Sequence, residues 1–317
     1  MSLPRWVLIT PARNEESNLE RTIQSVIGQN VHPMKWVIVN DGSTDSTPAI
    51  IDRYSAAHDW IERLDMPGHR DRSFAAKAHC VNSALQRIAA LPYEVVGNLD
   101  ADVTFEEQDY LEFLLKKFVE IPDLGVAGTP LLAAGGYDTA KDSFEGENYV
   151  AGPCQLFRRK CLEEVGGYVP NKAGGVDWIA VTTARMKGWK TRAFREKRYY
   201  HHRSFGTAER GPLSALYSYG EKDYYLGGSF VWEFCRILYR LAKPPRVLGG
   251  MALGVGFLSA AIRRVPRAVS PELMHFHRQE QMQKLKAIVK TLMRFKKVDN
   301  FSVAARRDEI SDGTSRT

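Results

Sequence analysis

Two aspartates two residues apart, Asp100 and Asp102, follow directly on the apolar run Val95-Val96-Gly97-Asn98-Leu99. Carboxylates at this spacing offer hard oxygen ligands to a divalent cation, which can bridge in turn to phosphate oxygens. Such a cation would neutralise charge building on a departing diphosphate. The same residues could also form a solvated turn or a helix cap. Asp41 opens a second polar stretch, Asp41-Gly42-Ser43-Thr44-Asp45-Ser46, behind the apolar run Trp36-Val37-Ile38-Val39. It reads as an Asp–Gly turn with capping hydroxyls, or as a carboxylate placed to accept hydrogen bonds from a nucleobase or ribose. A third group, His201-His202-Arg203, ends the strand-like Arg198-Tyr199-Tyr200. There His202 is the expected histidine of a metal's ligand set and Arg203 the expected contact to a diphosphate. The alternative is a basic surface cluster.

These groups need a scaffold that carries them to one place. Trp6-Val7-Leu8-Ile9, ended by Thr10-Pro11, is a short buried-type strand, and Leu19, Ile23, Val26 and Ile27 recur behind it at helical spacing. The run at Trp36 is the next strand. Ser46-Thr47-Pro48 then reads as a helix start, because hydroxyl residues cap and proline suits the first turn. Val81, Leu85 and Ile88 mark a third helix, Val95 to Leu99 a third strand, and Leu111, Leu114, Leu115 and Phe118 the helix after it. Short apolar strands alternating with amphipathic helices predict an α/β chain built on a parallel sheet covered on both faces. Ligands of such sheets bind beyond the carboxyl ends of the strands, where the polar groups above fall.

Taken together, Pro11-Ala12-Arg13-Asn14-Glu15, Val39-Asn40-Asp41-Gly42-Ser43-Thr44-Asp45 and Asp100-Ala101-Asp102 resemble the family 2 glycosyltransferases of the GT-A fold, over roughly residues 5 to 205. The resemblance implies a Rossmann-like mixed sheet flanked by helices. It implies that Pro11, Ala12, Arg13 and Glu15 form the first nucleotide-contacting loop and that Asp41 binds the base. Lys77 and Asn82 fall where the family reads Gly-Lys-x-x-Ala-x-Asn, with the opening glycine replaced here. Asp100 is similar to the ribose-side aspartate and Asp102 to the metal ligand. Gly152-Pro153-Cys154-Gln155 and Val165-Gly166-Gly167-Tyr168 look like the acceptor-facing strand, helix and turn. In Gly174-Gly175-Val176-Asp177-Trp178 the family's Glu-Asp pair keeps only its aspartate, so the resemblance assigns the general base to Asp177, which could otherwise be a helix cap.

The implied activity is inverting transfer of a sugar from a nucleotide-diphosphate donor, with UDP favoured, to a hydroxyl, assisted by manganese or magnesium. One carboxylate takes the acceptor's proton while a cation stabilises the leaving diphosphate. A saccharide carried on a polyprenol, in cell-surface polysaccharide synthesis, is the expected acceptor. A non-catalytic nucleotide- or membrane-binding module on the same fold is the alternative; the presence of both Asp102 and Asp177 speaks against it.

The remainder of the 317-residue chain reads differently. A domain over 1–205 is expected to be followed by a helical, partly hydrophobic, membrane-associating region over 206–300 and a disordered tail over 301–317. The run Val247 to Ile262 carries no charge and is flanked by Arg236, Arg240, Lys243 and Arg246 before it and Arg263, Arg264 and Arg267 after it. At 1.5 Å per residue such a helix is shorter than a bilayer's core of roughly 30 Å. A buried core helix, a membrane-surface or re-entrant element and a full span all remain open. With 44 Lys and Arg against 37 Asp and Glu, the formal net charge is +7. The positive residues gather round the apolar stretch and form no aromatic-interleaved groove, so nucleic acid is not an expected partner. Cys80, Cys154, Cys161 and Cys235 lack metal-ligand spacing and read as reduced thiols. No signal-like apolar core opens the chain, and the expected location is cytoplasmic, peripheral to the inner face of the cell membrane.

Overall fold

The three apolar runs become parallel strands, joined by the expected helices. In a computed structural model, which describes residues 2–67, 74–142, 146–171, 174–204, 211–294, 298–299 and 302, the order begins β1 (Trp6–Ala12), α1 (Leu19–Ile27), β2 (Trp36–Asn40) and α2 (Thr47–Ala57). It continues with β3 (Ile61–Asp65), α3 (Phe74–Arg87), β4 (Val95–Leu99), the two-residue β5 (Val103–Thr104) and α4 (Tyr110–Glu120). Then come β6 (Leu124–Gly128), β7 (Leu131–Ala134), α5 (Thr139–Asp142), β8 (Cys154–Arg158) and α6 (Arg159–Val165), followed by α7 (Val176–Met186), β9 (Lys190–Ala193) and β10 (Tyr199–Ser204).

Seven strands form one sheet in the order β3-β2-β1-β4-β8-β6-β9, and β5, β10 and β7 form a small second one. β3, β2, β1 and β4 are parallel; β8 runs antiparallel to both neighbours, so the sheet is mixed. Val7, Ile9, Val37 and Val39 share a buried cluster with Ala78, Val81 and Ala84 of α3 and with Val181 and Ala184 of α7. Leu8 and Ile38, which alternate with them, are equally buried, so both faces of the sheet are covered. Each such fully buried aliphatic side chain contributes roughly 1.5–3 kcal/mol relative to exposure.

β1 runs past the proline expected to end it. Leu8 donates its N–H to Lys35 and the carbonyl of Ala12 accepts from Asp41, both at 2.9 Å, so the even-numbered residues of β1 bond toward β2. Alternation turns Pro11 toward β4, whose pairing with β1 stops at Ile9. The missing N–H therefore costs no ladder bond.

The chain divides into two compact units, Met1–Arg203 and Ser204–Thr317. The second holds four helices, α8 (Pro212–Tyr225), α9 (Phe230–Leu241), α10 (Leu248–Ile262) and α11 (Pro271–Met293). Glycines let α10 press on α8: a Cβ on Gly256 would overlap the carbonyl of Tyr217, and one on Gly220 the carbonyl of Leu253. The uncharged run is thus one helix of 15 residues, about 22 Å long. No helix among the described residues is long and apolar enough to cross a membrane. Of the expected tail, only Ser302 is described; the rest of 301–317 lies outside the described residues.

Candidate active site

Parallel β1, β2 and β4 end at the same edge of the sheet, and the loops leaving β1 and β2 are bonded to each other. Asn14, in the left-handed region at φ 53° that asparagine tolerates, accepts the N–H of Thr44 at 2.8 Å and donates its own N–H to Ser43 Oγ at 3.1 Å. Glu16 donates its N–H to Asp45 at 3.1 Å and accepts that of Ser46 at 3.0 Å. Burial pushes the Asp45 carboxyl up, but the hydrogen bonds it accepts from Thr47 and Glu16 outweigh this and hold it below the usual range. Pro11 and Ala12 supply the backbone of this edge. Arg13 Nη1 stands 3.8 Å from Asp41 Oδ2, and the buried Cys80 thiol hydrogen-bonds to Asp41. Burial, with the Asp41 charge, pushes that thiol to about 12, so it stays protonated. All four cysteines are free thiols.

Beyond β4, one ligand atom each from Asp100, Asp102 and His201 lie within 4.8 Å of one another. His201 Nδ1 is 2.8 Å from the carbonyl of Arg203, an acceptor, so that nitrogen carries the proton. The lone pair of Nε2 then faces Asp102 Oδ1 at 3.4 Å. Two acceptors set opposite each other, with Asp100 beside them, fit a cation between them. The outer hydrogen bond also holds the imidazole in the ligating tautomer. Burial first, and then the Asp100 charge, raise the Asp102 carboxyl above its ordinary value.

Two cations border this group. Lys77 Nζ pairs with Asp100. Burial alone would lower the Lys77 ammonium, but Asp100, assisted by Asp177 and Asp102, more than offsets it. Arg203 Nη2 donates to both carboxylate oxygens of Glu15 at 2.6 Å, and its Nε lies 3.3 Å from Asp102 Oδ2. Burial raises the Glu15 carboxyl, the Asp102 charge adds to this, and Arg203 opposes it.

Asp177 lies in the first turn of α7, behind Gly175 as the capping residue, so it is not the helix cap. Its Oδ2 accepts the Tyr149 hydroxyl at 2.7 Å. A Cβ on Gly152 would stand 2.8 Å from that same oxygen, so the backbone before β8 closes against the carboxylate and leaves glycine as the fitting residue.

The structure therefore brings Asp100, Asp102, Lys77, Arg203 and Glu15 together and joins Arg13 to Asp41. His202 departs from its expected place. Its Nε2 is 3.0 Å from Thr104 Oγ1, its ring packs on Tyr200, and burial lowers its pKa. Successive side chains of β10 point to opposite faces, so His201, and not His202, shares the face of Arg203. That alternation was the available sequence signal. Tyr149 sits in no motif, and Cys80 stands at the alanine position of the segment matched by Lys77 and Asn82, so both meet their carboxylates only through the fold.

The glycosyl transferase family 2 model matches residues 7–142. Over 139 residues the chain is 30% identical to a 4,4'-diaponeurosporenoate glycosyltransferase of Staphylococcus aureus, covering 44% of this chain and 33% of that one. The chain thus spans about a third of the length of the curated relatives it matches. Among solved structures it is similar to a mannosyltransferase of Pyrobaculum calidifontis in complex with GDP-Man and Mn2+, at TM-score 0.55 and 18% identity, over 98% of this chain and 88% of that one. It is also similar to residues 1–349 of S. aureus TarS in complex with UDP-GlcNAc, at TM-score 0.53 and 15% identity, over 96% and 92% of the two chains. The fold is of the GT-A type.

Proposed function

We propose that the protein, whose residues 7–142 match the glycosyl transferase family 2 domain model, transfers a sugar, with inversion, from a nucleotide-diphosphate donor to a hydroxyl acceptor. The observation that carries this reading is the convergence of Asp100, Asp102 and His201 at the strand-end edge of that domain. In this reading Pro11, Ala12, Arg13, Glu15 and Asp41 receive the nucleoside, Asp100 the ribose side, and Lys77 and Arg203 the diphosphate. Asp100, Asp102 and His201 would hold manganese or magnesium, which when bound neutralises the charge of the departing diphosphate. Asp177 accepts the proton of the attacking hydroxyl, and the Tyr149 hydroxyl orients it through Oδ2. A base on one side of the sugar and cationic groups at the leaving diphosphate give in-line displacement, hence inversion.

The named relatives bind GDP-Man and UDP-GlcNAc, which supports nucleotide sugars as donors; a UDP-sugar is the preferred one. A saccharide on a polyprenol, used in cell-surface polysaccharide synthesis, is the acceptor this reading favours, and the chain would work from the inner face of the cell membrane. A screen of UDP- and GDP-sugars for nucleotide release, with and without manganese, tests the reading. Metal-dependent release from one donor supports it; release from none, with or without metal, contradicts it.

A further inference from the structure

The second unit carries an apolar surface with nothing among the described residues laid across it. On α10, Leu248, Met251, Val255, Leu258 and Ile262 recur at steps of three and four and are each more than half exposed. The opposite side of the same helix, with Leu253, Gly256 and Phe257, is buried. On α9, Val231, Phe234 and Leu238 repeat the pattern and are each half exposed or more. Ile237 faces Gly254 and Leu241 faces Gly250, so the two helices form an antiparallel hairpin. At 100° per residue, the exposed stripe lies in the same rotational sense from the contact line on each helix. In antiparallel helices that sense puts both stripes on one side of the hairpin.

The segment that bears the stripe is also basic. Residues 234–271 contain no aspartate or glutamate and seven Arg or Lys, which leaves 37 cations against 37 carboxylates in the rest of the chain. Residues 234–271 thus account for the whole formal net charge of +7, and the first turn of α9 adds one carboxylate, Glu233. Arg236 and Arg263 are held by Asp223 and Glu221, and Arg267 lies over the Tyr224 ring. Arg240, Lys243 and Arg246 stand at the turn end of α10, and Arg264 stands past its other end. An apolar stripe without an internal charge, rimmed with cations at both ends, matches a layer that is apolar below and anionic at its surface.

We infer that the α9–α10 hairpin lies in the surface of an anionic bilayer, with its eight exposed apolar side chains in the acyl boundary and the basic residues at the head groups. The stripe dips and does not cross, since α10 is about 22 Å long against a hydrocarbon core of roughly 30 Å. The basic stems reach the head groups while the apolar residues stay buried. This inference rests on the membrane-associated reading above and specifies the surface that performs it.

The test is flotation of the full chain with vesicles of phosphatidylcholine alone and of equal parts phosphatidylglycerol and phosphatidylcholine. The parent is expected to float with the anionic vesicles, less so as salt rises. Met251→Glu/Leu258→Glu should reduce the bound fraction at least about tenfold. Lys243→Glu/Arg246→Glu, which leaves the apolar packing alone, should reduce it on anionic vesicles specifically. A parent that binds, with both variants binding equally well, overturns the hairpin assignment and leaves the membrane reading standing. A parent that floats with neither vesicle overturns both. A parent that is a dimer broken by Met251→Glu/Leu258→Glu assigns the stripe to a second copy and overturns the inference. Nucleotide release from the donor, measured on the same samples, keeps the transferase reading separate from each outcome.

Discussion

Arg203 and Glu15, 188 residues apart in sequence, meet through a guanidinium nitrogen that donates to both carboxylate oxygens at 2.6 Å. The contact ties β10 to the loop after β1, and it offsets part of the burial that raises Glu15. Arg203→Ala leaves Glu15 and Asp102 without that cation. The loss should be on the order of 1–3 kcal/mol, toward the lower end because the Arg203 side chain is 38% exposed and solvent screens it. The sign with pH follows from Glu15 being raised: the unfolded carboxyl ionises first, so stability falls as pH rises through the window above about 4.5. Without Arg203 the fall is steeper. Thermal unfolding should therefore show a larger deficit for Arg203→Ala at pH 8 than at pH 5; an equal deficit at both contradicts the pairing.

Asp177→Asn keeps the shape of the side chain and the hydrogen bond from Tyr149, but it cannot hold the acceptor's proton. Turnover at saturating donor should fall by about a hundred- to ten-thousandfold, with donor affinity nearly unchanged. Tyr149→Phe, which removes only the orienting bond, should cost roughly tenfold, or ~1.4 kcal/mol of barrier. Single-turnover transfer rates check both, and an Asp177→Asn rate within a few-fold of the parent's would move the base elsewhere.

Glu233 in α9 has neither carboxylate oxygen hydrogen-bonded and is 2% exposed. Burial, and then the Asp223 charge, raise it from 4.5 to about 8. The unfolded glutamate ionises near 4.5 while the folded one stays protonated, so stability declines between those values by at most about 1.4 kcal/mol per pH unit and levels off above pH 8. Glu233→Gln should flatten that dependence and raise the melting temperature at pH 8. An unchanged slope from pH 5 to 8 would place the ionised carboxylate in solvent.

Much of this arrangement can be read before any coordinates, for local reasons. Asp41, Asp100 and Asp102 each follow an apolar run short enough to be a strand, and parallel strands carry their ends to one edge. β6, Leu124-Gly125-Val126-Ala127-Gly128, escapes such a reading because two of its five residues are glycines, which weaken the strand signal. β3 escapes because it lies at the sheet's margin and mixes charge with apolar residues, as edge strands do. His201 is legible through the two-residue period of β10, since Arg203 sets the face. The contacts of Tyr149 with Asp177 and of Cys80 with Asp41 depend on long-range packing, and no local pattern announces them.

The account depends most on the Asp100, Asp102 and His201 group as the place where a cation supports departure of the diphosphate. The direct measurement is nucleotide release from the preferred donor, with acceptor present, across a manganese titration, for the parent chain and for Asp102→Ala and His202→Ala. The account predicts a saturable manganese dependence for the parent that is lost in Asp102→Ala and kept within a few-fold in His202→Ala, since His202 faces Thr104. Release that proceeds equally well in chelator, or an Asp102→Ala chain that retains the parent's manganese dependence, would contradict it.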